Sequence, residues 1–319
     1  SMSELIFENL GMPEPDVFLG ASNAAPSLQI AEVMAALHDE FVKQRPELVL
    51  VFGDVNSTLA GALVANKMSF PLGHVEAGLR SFDRSMPEEH NRIVTDMLSD
   101  LLFTPSEDGD ENLSREGIPE SRIHRVGNIM VDSLLKVKPR AKTLEAWKKF
   151  DVVPGEYLLV TLHRPANVDE PEVFAEILGA LKEIGKTIPV VFPVHPRTRR
   201  EMANAGVEQD LIRARVRLSE PIGYLEFLNL MINAQMVLTD SGGVQEETTV
   251  LGVPCLTARE NTERPITITQ GTNRLVGVTK ASILSGFEKA RVEEGAVSTV
   301  PKLWDGKASQ RIVSILKQL

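Results

Sequence analysis

Short apolar runs alternate with amphipathic stretches along the whole chain, regularly enough to predict elements. The runs at 48–52, 72–75, 101–104, 157–162, 190–194, 236–238, 254–256 and 274–278 read as strands. Amphipathic stretches at 28–43, 57–67, 87–98, 172–184, 224–234 and 281–292 read as helices between them. Runs such as VLVF and YLLVTL are apolar at consecutive positions, so they fit strands covered on both faces rather than half-exposed ones. Strand–helix alternation of this kind predicts an α/β fold built on parallel, doubly wound sheets.

A length of 319 residues suggests two domains. The boundary is expected in the charged, proline-flanked stretch at 136–154, giving a first domain over 1–138 and a second over 139–308. A last helix, 309–319, is expected to pack back on the first domain. The opening is unusual, because a doubly wound domain begins with a strand whose following turn faces the ligand. Here the first convincing strand is 48–52, so the first domain reads as truncated at its N-terminus.

At 43% hydrophobic and 24% charged the composition is that of an ordinary globular protein. No apolar run approaches the ~18–20 residues of a membrane helix, and the start lacks the pattern of a signal peptide. The single cysteine, Cys255, rules out an internal disulfide, and its VPCL setting reads as core. These features point to the cytoplasm. A net charge of −10 argues against a nucleic-acid partner. An anionic ligand would need a locally basic site, and Arg80, Arg92, Arg164, Arg197, Arg199, Arg259 and Arg264 lie in loops or at helix starts where one could form.

The segment most informative about chemistry is Asp240-Ser241-Gly242-Gly243, which closes the 236–238 strand. Two glycines are expected to turn the backbone tightly before a helix over 244–251. A strand, a glycine pair and a helix start bring unpaired N–H groups and the positive end of a helix dipole to one point, which suits a phosphate. Glu247, one turn on, would repel phosphate but can accept hydrogen bonds from a ribose diol. Together they suggest a nucleotide sugar, although a glycine pair after a strand also makes a plain tight turn.

Other chemistry gathers at strand ends. Asp54 follows 48–52, where Asn56, Ser57 or Thr58 could already cap the next helix. Glu76 follows 72–75, with Arg80 as its simplest structural partner, and Glu88 and Arg92 lie in the helix start PEEHNR. His163-Arg164 and His195-Pro-Arg197 end the first two strands of the second domain. No metal-ligand spacing accompanies these histidines, so they read as anion-binding and no metal site is predicted. Acids ending the strands of one domain and His/Arg groups ending those of the other suggest a cleft for a sugar nucleotide. That pattern leaves glycosyl transfer, hydrolysis and epimerisation open.

The motifs GDVNST, HVEAGLRS, MPEEHNR, TLHRPANVD, FPVHPR, LTDSGGVQEE, LGVP and RENTERP run in order from Gly53 to Gly277. Together they resemble the non-hydrolysing UDP-N-acetylglucosamine 2-epimerases. The resemblance implies two Rossmann-like domains facing across a cleft (GT-B), a UDP-sugar substrate, no cofactor and a homodimer. It implies interconversion of UDP-GlcNAc and UDP-ManNAc through a 2-acetamidoglucal. Asp54, Glu76 and Glu88 match the family's catalytic carboxylates, His163 its catalytic-site histidine, and Arg92 an arginine supporting the acids. Ser241, Gly242 and Gly243 match the diphosphate-binding turn, Glu247 the ribose carboxylate, Phe227 the uracil side and Arg264 a nucleotide-side arginine. His195 is placed with this UDP-binding group. The family's opening GTRPE segment has no counterpart here, and Pro165 after His163-Arg164 implies no second, regulatory UDP-GlcNAc site. The resemblance leaves three alternatives: a hydrolysing epimerase, one acting on a diacetamido-uronate sugar nucleotide, or a UDP-binding remnant without turnover.

Overall fold

In the computed structural model the described residues are 11, 13–21, 25–292 and 299–318, so half of the opening FENLGMPEPD, and Leu319, lie outside them. The first four strands are β1 (Val49–Phe52), β2 (Leu72–Val75), β3 (Leu101–Thr104) and β4 (Ile123–Arg125). Six more follow: β5 (Leu158–Thr161), β6 (Val190–Pro193), β7 (Val216–Ser219), β8 (Met236–Thr239), β9 (Cys255–Thr257) and β10 (Asn273–Leu275). Helices α1 (Pro26–Gln44), α2 (Asn56–Lys67), α3 (Pro87–Leu98), α4 (Glu107–Arg115) and α5 (Ile129–Lys142) accompany the first sheet. The second sheet carries α6 (Pro165–Val168), α7 (Pro171–Thr187), α8 (Pro196–Ala205), α9 (Glu208–Arg213), α10 (Tyr224–Asn233), α11 (Gly242–Leu251), α12 (Ile266–Thr269) and α13 (Lys280–Val292). The last helix is α14 (Ala308–Leu316).

Contacts divide the chain into two compact domains. One comprises Pro13–Asp132 with Lys302–Leu319, and Ser133–Pro301 belongs to the other. Both sheets are wholly parallel, as apolar strands joined by crossover helices require.

The smaller sheet runs β1-β2-β3-β4. The pleat sends Val49 and Val51 into a cluster with Ala62 and Ala65 of α2. Leu50 points the other way, into a second cluster with Phe103, Val126, Ile312 and Ile315. The last helix therefore covers the face that α2 leaves open. Hydrogen bonds also hold this C-terminal segment: the Trp304 indole donates to the Pro105 carbonyl at 2.9 Å, and Asp132 accepts from the Ala308 and Ser309 amides at 3.0 and 2.8 Å.

The larger sheet has the order β10-β9-β8-β5-β6-β7. Numbered within its own domain this is the Rossmann order, reversing between β5 and β8, and such a switch point opens a crevice beyond the carboxyl ends of the strands. Leu158, Leu159, Val160, Val190, Val191 and Val237 are fully buried, each worth about 1.5–3 kcal/mol in transfer free energy.

Among the described residues, eight of the ten strands lie where the apolar runs put them. The two unforeseen strands, β4 (IHR) and β7 (VRLS), are the outer strands of their sheets and are only partly buried. The polar helix α4 (EDGDENLSR) was also unforeseen, because it buries only Gly109, Asn112 and Leu113. Among the described residues no helix is long and apolar enough to cross a membrane.

Candidate active site

Beyond the C-terminal end of β1 the chain turns through Gly53, with φ of +64°. Successive carbonyls of this turn are each held by a different element. Thr58 Oγ1 donates to the Phe52 carbonyl at 2.7 Å, His74 Nε2 to that of Gly53 at 2.8 Å, and Asn91 Nδ2 to that of Asp54 at 2.9 Å. The expected capping role of Asn56, Ser57 or Thr58 is not realised: Val55 is the N-cap of α2 and no side chain caps it. Thr58 instead faces back onto the strand end.

The turn presents Asp54, whose carboxylate accepts from Arg92 Nε at 3.1 Å and pairs with Arg92 Nη2 as well. Arg92 Nη1 pairs with Glu89. Glu76 leaves β2 in the left-handed region, φ +72°, a conformation non-glycine residues adopt at a cost of about 1–3 kcal/mol. Its carboxylate is brought against Gly53, where a Cβ would lie 3.2 Å from Oε2. The structure thus gathers Asp54, Glu76 and Arg92 around one glycine.

Arg80 is not the partner of Glu76. It is buried and bound to Asp96 at 2.7 Å and Glu116 at 2.6 Å. Glu88 is exposed on the first turn of α3, and the acid buried there is Glu89. Burial would raise the Glu89 pKa, but three donors and Arg92 hold it below the usual range. The donors are the Ser81 amide, the Ser81 hydroxyl and the Phe82 amide, each at 2.9 Å.

The second group forms in the other domain, at the switch point. His163 follows β5 and Asp240 follows β8, the two strands paired there. Asp240 is fully buried and accepts from the His163 amide at 3.0 Å, the Arg164 amide at 2.9 Å and His163 Nδ1 at 2.9 Å. Burial opposes its charge, but these bonds keep its pKa low. An acceptor at Nδ1 makes that nitrogen the N–H bearer and turns Nε2 outward. Asp240 was legible in sequence only as the opening of a glycine motif, and its control of His163 depends on a neighbour 77 residues away.

His195 lies beside His163, with ring centroids 5.9 Å apart. It caps α8, accepting the Arg197 amide at Nδ1 at 3.2 Å. Burial, His163 and Arg197 together lower its pKa.

Ser241 is the N-cap of α11, and the two glycines are the first helical residues rather than a preceding turn. Neither has positive φ, so the expected tight glycine turn is corrected. Gly242 is needed because a Cβ there would enter contact distance of Arg264 Nη1 and lie 2.6 Å from Glu263 Oε1. Gly243 meets nothing within 4 Å.

Arg264 Nε pairs with Glu246 at 2.7 Å and Nη1 of the same side chain with Glu263. Glu263 also binds Arg259 at 2.8 Å and Arg164 at 3.3 Å. Burial alone would raise the Glu263 pKa, and the three guanidinium groups drive it far below the usual range instead.

Glu247 is 5% exposed and accepts from the Tyr224 hydroxyl at 2.6 Å. Burial raises its pKa to about 7. Phe227, one turn beyond Tyr224 on α10, packs against the cluster of Tyr157, Val191, Leu230 and Val244. Tyr224 carries no motif signal and was not foreseen. Among the described residues no group of three or more His, Cys, Asp or Glu side chains is arranged to hold a metal ion.

The family model for UDP-N-acetylglucosamine 2-epimerase matches residues 1–317. A UDP-N-acetylglucosamine 2-epimerase of Methanocaldococcus jannaschii is 40% identical over 327 residues, covering 99% of this chain and 87% of its own. A UDP-2,3-diacetamido-2,3-dideoxy-D-glucuronate 2-epimerase of Pseudomonas aeruginosa is 41% identical over 324 residues, covering 100% and 88%. The crystal structure of the Methanocaldococcus jannaschii UDP-GlcNAc 2-epimerase in complex with UDP-GlcNAc and UDP superposes with a TM-score of 0.92, covering 99% of this chain and 88% of that one at 41% identity.

Proposed function

The chain belongs to the UDP-N-acetylglucosamine 2-epimerase family and is an epimerase, and from that premise we propose how its residues interconvert UDP-GlcNAc and UDP-ManNAc. The C2 hydrogen of the sugar lies next to no carbonyl, so a simple carbanion at C2 is too unstable to form. Elimination avoids it. A carboxylate takes the C2 proton while the C1–O bond to UDP breaks, giving 2-acetamidoglucal and UDP. A UDP oxygen then attacks C1 while an acid returns a proton to the opposite face of C2.

Asp54, Glu76 and Glu88 are assigned to this proton traffic, with Arg92 fixing the Asp54 carboxylate. His163, its ring oriented by Asp240, turns Nε2 toward the departing UDP oxygen, to which it donates when both ring nitrogens carry protons. UDP is assigned to the N–H groups of Ser241, Gly242 and Gly243, to Arg264 and His195, to Glu247 at the ribose and to Phe227 at the uracil. The observation that carries this reading is the convergence of the Asp54 and Glu76 strand ends on Gly53, at a sheet edge where open α/β proteins place their chemistry. The family resemblance also supports a homodimer and a cytoplasmic location, and light scattering tests the first.

Proton NMR with UDP-GlcNAc in D₂O tests the reaction. UDP-ManNAc carrying deuterium at C2 is the expected product. Free ManNAc would mark a hydrolysing enzyme, and bound UDP without exchange a binding protein. Because the glucuronate 2-epimerase is as similar as the UDP-GlcNAc enzymes, the diacetamido-uronate nucleotide is run in parallel. A kcat/KM more than tenfold higher on it would reassign the sugar.

A further inference from the structure

His74 is fully buried in β2 and takes no part in the chemistry assigned above. Both of its ring nitrogens meet oxygen atoms. Nδ1 lies 2.6 Å from Asp96 Oδ1 and Nε2 lies 2.8 Å from the Gly53 carbonyl. A backbone carbonyl has no proton to give. Asp96, already accepting the Gly78 amide at 3.1 Å and Arg80 Nη1 at 2.7 Å on its other oxygen, is ionised. Each nitrogen must therefore donate, and a ring that donates twice is an imidazolium.

From this geometry we infer that His74 is a buried cation that positions the catalytic carboxylates Asp54 and Glu76 by holding the Gly53 carbonyl between them. The inference rests on the assignment of those two acids under Proposed function. Gly53 precedes Asp54 in the chain, its Cα faces the Glu76 carboxylate, and its carbonyl receives His74. One peptide thus relays the position of the imidazole to both acids. Asp96, on α3, ties the arrangement to the helix that also carries Asn91 and Arg92, the other two anchors of Asp54.

The charges around the ring are Asp96 and Glu76, with Arg80 beyond Asp96 and Glu116 beyond Arg80. Burial disfavours the cation, but the bond and field of Asp96 outweigh it and leave the His74 pKa above the usual histidine value. A neutral ring would leave either the Gly53 carbonyl or an Asp96 oxygen without its donor in a buried site, which is unfavourable.

Two measurements test the inference. The first needs no variant or activity: NMR of ¹⁵N-histidine-labelled wild type, with His74 assigned by its proximity to Gly53. Two ring N–H resonances at pH 7 are expected, and a single ring N–H there overturns the inference.

The second is steady-state kinetics of His74→Gln and Asp96→Asn, with melting curves to establish that each folds. A misplaced catalytic group of this kind costs up to about a hundredfold in rate. We expect kcat to fall about thirtyfold in each, with KM and UDP affinity within threefold. The double variant should lose little more than either single one, because the two residues act as one device. In a folded variant, kcat within threefold of wild type, or a rise in KM alone, sinks the positioning role. If wild type turns over no UDP-sugar, the functional assignment fails instead, while the NMR measurement still decides the charge on His74.

Discussion

Glu247 and Glu263 are both buried carboxylates near the start of α11, yet their environments drive them in opposite directions. Glu263 faces three guanidinium groups and stays charged, whereas Glu247 has Tyr224 as its hydrogen-bond donor and titrates at about 7. For Glu247 the folded state holds its proton after the unfolded chain has released one near pH 4.5. Its contribution to stability therefore falls as pH rises between those values, by about 3 kcal/mol in all. Glu247→Gln should flatten that part of the stability–pH curve, measured by urea unfolding at pH 5 and pH 8. The lowered acids Glu89, Asp96 and Asp240 act in the opposite sense, stabilising above the unfolded carboxyl pKa and losing that contribution as pH falls. If the ribose requires the Glu247 carboxylate, UDP affinity should rise as pH passes through 7 in wild type and stay flat in Glu247→Gln, as calorimetry would record. Glu76→Gln should abolish turnover while leaving UDP affinity within about threefold, a change of under 1 kcal/mol. A larger affinity loss would place Glu76 in UDP binding rather than at the sugar.

At the scale of elements, the two glycines of α11 make separable predictions. Gly242→Ala forces a methyl into the Arg264–Glu263 pair and should lower UDP affinity more than tenfold in a fluorescence titration. Gly243→Ala meets open space and should stabilise the helix by roughly 0.5–1 kcal/mol. If UDP affinity nevertheless falls, the open space belongs to the ligand.

What was legible in the sequence follows from burial. Central strands such as β5 and β8, apolar on both faces, announced themselves, as did Asp54, Glu76 and His163 at strand ends. The outer strands β4 and β7 did not, because a partly buried strand carrying Arg125 or Arg217 loses its apolar signature. The residues that orient the site were hidden for another reason. Asp240 under His163, Tyr224 on Glu247 and His74 beneath Gly53 act through partners 77, 23 and 21 residues away. Only the fold brings such partners together.

For the molecule as a whole, the contact division after Asp132 falls inside α5, and the chain returns to the first domain at Lys302. That returning segment covers one face of the first sheet and supplies the Trp304–Pro105 bond. Trp304→Phe removes that bond and leaves a cavity where the buried indole packed, and should cost more than about 1 kcal/mol, read as an earlier transition in calorimetry. Deleting 302–319 uncovers the apolar face as well, and should melt the first domain while leaving a transition for Ser133–Pro301.

The returning segment also fixes an order of events during synthesis. Nearly all of Ser133–Pro301 has left the ribosome before α14 does. The first domain, though translated earlier, waits with Val75, Phe103 and Val126 uncovered until Ile312 arrives. The sheet made first is the one finished last. Through that interval, at about 5–20 residues per second, it carries an apolar face without its covering helix.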